Sequence, residues 1–274
     1  MLLIVEALLL ILSAPGQDHR AAVEGQILDM APNSVDDYYY GCRENMAKNV
    51  KKKYLNKECD NSEFEKNEFK KAWDVGKKAL DQKISKHDTL KCNFIAIYVY
   101  TDTAFNIYDK FNHDARNGKQ NYKDGTYKWY SFQFLLTEAI EILRKKQNRC
   151  FNTFRGTKLT FNGFAFPSIR FGSFTSSSLD RNIAKRFGTK SCFEIRTCLG
   201  ADVTKYSKLP YEKEVLIPPY EMFKVTAVRT RIYQNDLWCD TVFTLESFGT
   251  RSELNCALCK KEHNEVQCLL NKVL

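Results

Sequence analysis

The sequence predicts an α+β fold with the helices first, and three observations carry that expectation. In WYSFQFLLTEAIEILRKK (129–146) the apolar residues Phe132, Leu135, Leu136, Ala139, Ile140 and Leu143 recur at helical spacing, and the basic last turn suits the helix dipole. After Cys150 the pattern changes to short runs rich in Phe, Val, Ile and Thr and bounded by Gly or Pro, which read as strands. No Pro/Gly linker or internal repeat separates the halves, and 274 residues with 43% hydrophobic content suit one large domain.

The elements follow in order. MLLIVEALLLILSAPG, followed by polar QDHR, reads as a secretory signal peptide over about 1–22, cleaved between Ala14 and Ala22. Its apolar stretch is shorter than the ~18 residues of a membrane span. The C-terminal NEVQCLLNKVL is too short and polar for the tail that directs a lipid anchor, so the chain reads as secreted without a membrane anchor. A helical lobe covers about 34–149 and includes the amphipathic segment NEFKKAWDVGKKAL. Within it, FIAIYVYTD predicts a buried strand leading into a helix that starts at Asp102 or Thr103 and ends near Arg116. A β-rich core over about 150–256 comprises CFNTFRG, RFGSFTSSS, CFEIRTCLG, KEVLIPPYEMFKVTAV and DTVFTLES, followed by a short cysteine-containing tail.

Ten cysteines agree with an oxidising compartment. Cys256-x-x-Cys259-x-x-x-His263-x-x-x-x-Cys268 nearly has the spacing of a zinc knuckle, but thiols in an exported tail oxidise, so disulfides are expected and no metal. The net charge of +9 sits partly in runs such as KNVKKKYLNK and RKKQNR, which read as solvated helix faces. No basic stripe interleaves with aromatics, so no nucleic-acid partner is expected; cell-surface polyanions remain compatible with the charge. There is no Asn-x-Ser/Thr acceptor.

Three strand-like runs carry unusual chemistry. Arg155-Gly156 sets a planar cationic fork beside backbone that tolerates close approach, which suits a phosphate or carboxylate. Ser176-Ser177-Ser178 is a hydroxyl cluster placed after aromatics, although serine runs are ordinarily loop chemistry. Glu212 and Glu214 in YEKEVLIPP point to the same face if they lie on one strand, because the side-chain period is two, and burying them together requires a cationic or hydroxyl partner.

The order F-R-G, then F-G-x-F-T-S-S-S, then E-x-E-V-L-I-P-P resembles the vertebrate ecto-mono-ADP-ribosyltransferases, whose Arg-Ser-Glu signature is similar to that of arginine-modifying bacterial toxins. The resemblance also covers DMAPNSVDDYYYGC, VYTDTAFNIYDKFN, TCLGADVTKYS and LESFGTRSELNC, essentially the whole mature chain. It implies a helical N-terminal lobe followed by a split mixed/antiparallel β-core, NAD as the substrate, and transfer of ADP-ribose to arginines of extracellular or cell-surface proteins by a monomer. Residue by residue, it implies that Arg155 holds the dinucleotide, Ser176 is the signature serine, Glu214 is the catalytic glutamate and Glu212 is its partner. It further implies NAD contacts from Tyr100, Gly156, Ser173, Phe187 and Ser207, with Phe187 stacking on nicotinamide. Finally, it implies disulfides Cys42–Cys256 and Cys150–Cys198. Ser173 stands where several relatives have Gln, and the segment RNIAKRFGTKSC is shorter than in some of them.

Two rivals come from other classes. A binding protein on the same scaffold is opposed by the intact Arg155, Ser176 and glutamates. A secreted basic ribonuclease needs a pair of catalytic histidines, and none of His19, His87, His113 and His263 sits in a strand motif.

Overall fold

A computed structural model describes residues 26–55, 68–85, 88–162, 167–262 and 265–268; the segment expected to be a signal peptide and His263 lie outside them. After a two-residue strand β1 (Gln26–Ile27) come α1 (Arg43–Asn49), continued by a π-helical turn over Val50–Tyr54, then α2 (Glu68–Asp81), α3 (Lys91–Thr101), α4 (Ile107–Asn117), α5 (Lys119–Asp124) and α6 (Tyr130–Gln147). The remaining chain supplies β2 (Phe151–Thr157), β3 (Phe161–Asn162), β4 (Ser168–Ile169), β5 (Thr175–Ser178), a short helix α7 (Arg181–Lys185), β6 (Ser191–Thr197), β7 (Ala201–Asp202), β8 (Glu214–Ile217), β9 (Glu221–Thr230) and β10 (Thr241–Thr250). A last hairpin joins β11 (Cys259–Glu262) to β12 (Glu265–Cys268). No described helix is long and apolar enough to cross a membrane.

One expected strand is a helix. FIAIYVYT belongs to α3, whose residues Asn93 through Thr101 are all buried, packed between α2 and α6. A helix covered on every side loses the polar face that gives the helical period, and its β-branched and aromatic residues then imitate a buried strand. The next helix also starts later than expected. Asp102 Oδ1 accepts the amide of Ala104 in a turn, and α4 begins only after Asn106, which adopts a left-handed conformation.

Eight strands form one sheet in the order β4-β9-β10-β6-β2-β5-β8-β7. Only β10 and β6 run parallel; every other adjacent pair is antiparallel. The run KEVLIPPYEMFKVTAV breaks at Pro218-Pro219 into β8 and β9, because proline cannot donate to a ladder. β2 pairs fully with β6 but meets β5 at a single position, Phe154 opposite Ser178. The sheet is therefore split between β2 and β5, and backbone groups beyond Phe154 need other partners. A large core joins the helices to Phe174, Ala201, Val203 and Leu216 of the sheet side, and a second cluster around Phe193, Phe223 and Phe243 fills its other part.

Disulfides close Cys42–Cys256, Cys150–Cys198 and Cys192–Cys239. Cys259 is disulfide-bonded as well. Two donors of the knuckle-like spacing are thus consumed as disulfides, and no metal-binding group of side chains occurs among the described residues.

Candidate active site

The split in the sheet is where the candidate residues meet. Arg155 sits one residue past the only β2–β5 pairing, and its Nη1 donates to the carbonyl of Ser176 at 2.7 Å, taking the place of the missing ladder bond. The opening is a cavity of about 340 Å³ lined by Phe154, Arg155, Gly156, Ser176, Ser177, Ser178, Ala184, Phe187, Glu212 and Glu214. Gly156 is required here by protein rather than by ligand. A Cβ on it would stand 2.4 Å from the carbonyl oxygens of both Ala184 and Gly188, so the α7 wall can close on β2 only over a glycine.

The two glutamates do not share a strand, contrary to the period-two expectation. Glu212 ends a short 3₁₀ turn, Pro210–Glu212; Lys213 is left-handed at φ 48°; and Glu214 opens β8. Pro210 at the first position of that turn fixes its φ and needs no amide donor. The twist at Lys213 still delivers both carboxylates to one cavity, but into different surroundings. Glu214 is buried, whereas Glu212 is half-buried at the mouth.

Burial pushes the Glu214 carboxyl up to about 7; the hydroxyl of Ser176, which hydrogen-bonds to it, pulls the other way, the charge of Glu212 adds to the rise and Arg155 opposes it. Burial also raises Glu212. Burial pushes Tyr100 up to about 12; its hydroxyl accepts from Asn112 Nδ2 at 2.9 Å, and its one proton serves either the carbonyl of Phe174 at 3.0 Å or the hydroxyl of Ser176. A polar chain therefore runs Asn112, Tyr100, Ser176, Glu214, and it locks the rotamer of the buried carboxylate from behind.

The remaining expected residues are placed unevenly. Phe187 is 53% exposed and lines the cavity together with Phe154. Ser173 is buried outside the cavity wall, its Oγ accepting from Arg116 Nη1 at 3.4 Å. Ser207 is not brought to the cavity; its hydroxyl accepts the amide of Leu209 and shapes the loop ahead of Pro210. Asn112 and Arg116 escaped the sequence reading. Both lie on the exposed-looking face of α4, and only their spacing of four residues, one helical turn, hints that they serve a common site. Burial lowers the proton affinity of Arg155, Tyr100 and Glu214 oppose that, and the charge of Arg116 adds to the lowering.

Comparison with known proteins finds one family over most of the chain. Residues 28–241 match the family described as NAD:arginine ADP-ribosyltransferase. The chain is 35% identical to NAD(P)(+)--arginine ADP-ribosyltransferase 2 of Gallus gallus over 85% of its length and 73% of that protein's. It is also 35% identical to T-cell ecto-ADP-ribosyltransferase 2 of Mus musculus, over 84% of this chain and 76% of that one. Among solved structures it is similar to the eukaryotic mono-ADP-ribosyltransferase ART2.2, with a TM-score of 0.70 and 31% identity over 84% of this chain and 98% of that one. A variant of ART2.2 in complex with NAD superimposes with a TM-score of 0.66 and 28% identity, covering 90% of this chain and all of that one.

Proposed function

The chain belongs to the NAD:arginine ADP-ribosyltransferase family, and from that premise we propose that it transfers ADP-ribose from NAD to arginine side chains of extracellular proteins, with Arg155, Ser176, Glu214 and Glu212 as its working residues. The observation that carries the reading is one cavity holding a buried glutamate and a half-buried one, hydroxyl-bonded and cation-flanked.

The chemistry requires two carboxylates with different tasks. The bond between ribose C1′ and the nicotinamide nitrogen breaks with its electron pair leaving on nicotinamide, and positive charge develops on the sugar. A carboxylate in a water-poor site stabilises such an oxocarbenium-like state strongly. Glu214, fixed by Ser176, supplies it in the ionised form. The acceptor guanidinium is protonated and a poor nucleophile, so a second carboxylate must orient it and take its proton as C1′ bonds to nitrogen. Glu212 stands at the mouth, where an arginine of another protein arrives. Its raised proton affinity suits a base. Arg155 sets a guanidinium on the cavity wall that fits a pyrophosphate, with the charge of Arg116 felt there as well, and Phe187 with Phe154 offers ring surface for nicotinamide. Gly156 and Tyr100 act from behind, the first by admitting α7 and the second by holding Ser176. Ser173 takes part through Arg116.

Incubation of the purified protein with labelled NAD and an arginine analogue tests the reading. Expected are nicotinamide release and ADP-ribosyl-arginine, with Glu212→Gln losing transfer by orders of magnitude while still releasing nicotinamide to water. Transfer that survives in Glu212→Gln defeats the assignment of the two carboxylates. Absence of both products from the folded wild-type protein defeats the function.

A further inference from the structure

Glu212 stands on a half-exposed turn, yet its task demands a carboxylate held to a fraction of an ångström. Three links attach that turn to the end of β5 and the two residues that lead into α7. Ser178 Oγ donates to the Glu212 carbonyl at 2.7 Å, the Leu179 amide donates to the Lys213 carbonyl at 3.1 Å, and Lys213 Nζ reaches Asp180 Oδ2 at 3.1 Å. The first two fix only the inner backbone. The third is the link between two side chains, and it ends on a residue with a second attachment: Asp180 Oδ1 accepts the amide of Asn182 at 3.0 Å and so caps α7. The Asp180 carbonyl also accepts the amides of Ile183 and Ala184. Ala184 and Phe187 line the wall of the cavity facing Glu212. Asp180 thus touches both walls without lining the cavity itself.

We propose that Asp180 is a positioning residue that, through Lys213, clamps the Glu212 turn to α7 and holds Glu212 for the incoming arginine; this rests on the acceptor role given to Glu212 above. The left-handed backbone at Lys213 aims its side chain back across the turn toward Asp180. A left-handed position of this kind favours Gly or Asn, and neither would make the tie. The pair is largely exposed, with side-chain accessibilities of 55% and 31%, so it contributes little to overall stability. Its effect belongs instead to the partition of the ribosyl cation. With the turn held, C1′ bonds to an arginine nitrogen and the displaced proton goes to Glu212. With the turn loose, C1′ bonds to water oxygen, giving free ADP-ribose and a proton to solvent. Both routes release one nicotinamide per NAD.

The test uses the full mature chain, NAD and an arginine analogue, and reads ADP-ribosyl-arginine against total nicotinamide. Asp180→Asn keeps the helix cap and loses the charge; Lys213→Met keeps the stem and loses the charge; Lys213→Arg keeps both. The first two are expected to lower the ratio of transfer to hydrolysis about two- to fivefold, the range of an exposed ion pair, with KM for NAD and the melting temperature unchanged. Lys213→Arg should hold the wild-type ratio. Raising salt to about 1 M, where charge screening acts within a few ångströms, should lower the wild-type ratio more than that of Lys213→Met. An unchanged ratio in Asp180→Asn and Lys213→Met overturns the clamp, as does a matching loss of hydrolysis. Glu212→Gln run alongside separates the two claims: transfer lost there with unaffected clamp variants removes the clamp alone, while transfer retained there removes the acceptor assignment and the clamp together.

Discussion

At the scale of single residues, the site turns on one carboxylate whose ionisation is opposed by burial. Glu214→Gln keeps shape and hydrogen-bonding length and removes the charge, so it should abolish both transfer and NAD hydrolysis, by about 100-fold or more, with the fold intact. Hydrolysis surviving in the folded variant would give the role to another group. Glu214 must be ionised to act, and its carboxyl stands at about 7 in the free protein. The rate at low NAD concentration should therefore rise with pH through that value. Ser176 bonds to the ionised form and holds the carboxyl down, so Ser176→Ala should move the inflection upward as well as lower the plateau. A plateau lost without movement of the inflection would mean that Ser176 serves the substrate instead. The identities of Arg155, Ser176, Glu212 and Glu214 were legible because their motifs occur in a fixed order. Their geometry was not: the left-handed turn at Lys213 breaks the strand period, and Pro210 two residues ahead of Glu212 was the available sign that the glutamates straddle a turn.

At the scale of elements, a helix whose sequence keeps a polar stripe was readable and one without it was not. α6 is buried over most of its length, yet Gln133, Thr137, Glu138 and Glu141 interrupt its apolar residues at helical spacing, whereas α3 has no comparable polar stripe after Asn93 to reveal its period. A split core was expected from the family resemblance, but its place between β2 and β5 was not readable, since nothing in FRG or TSSS says that their ladder has one rung. Yet this split makes the cavity, and Gly156 lets α7 close it. Gly156→Ala should force α7 and the Gly188 turn away from β2, because the added methyl meets two carbonyl oxygens of backbone that no rotamer change can move. Overpacking of this kind costs about 1–3 kcal/mol. The expected result is a melting temperature lower by several degrees and loss of activity beyond what that instability explains. A variant with wild-type activity would show that α7 has room to shift.

At the scale of the whole molecule, the two ends of the described chain are joined in one buried polar knot. Asp36 pairs with Arg170 at 2.6 Å and accepts the amides of Glu253 and Leu254, while Asp37 accepts those of Tyr39 and Cys256 and the hydroxyl of Tyr122. The Cys42–Cys256 disulfide closes the same junction. Burial pushes Asp37 up to about 7; hydrogen bonds from Cys256, Tyr122 and Tyr39 oppose the rise, and the charge of Asp36 adds to it. The ordinary value of 3.8 applies to the unfolded chain, so between the two values the folded state binds the extra proton and unfolding releases it. Stability must then fall as pH rises through that window, by at most about 1.4 kcal/mol per pH unit from this group. Glu212, Glu214 and Glu221, all raised by burial, act with the same sign. Asp37→Asn removes one of four contributors while keeping an oxygen for the amides of Tyr39 and Cys256, so it should flatten the decline without abolishing it. Denaturant unfolding of both proteins at about pH 5 and pH 7.5, with disulfides intact, measures the difference. An unaltered slope in Asp37→Asn would mean that the knot holds Asp37 ionised throughout, its three donors outweighing burial.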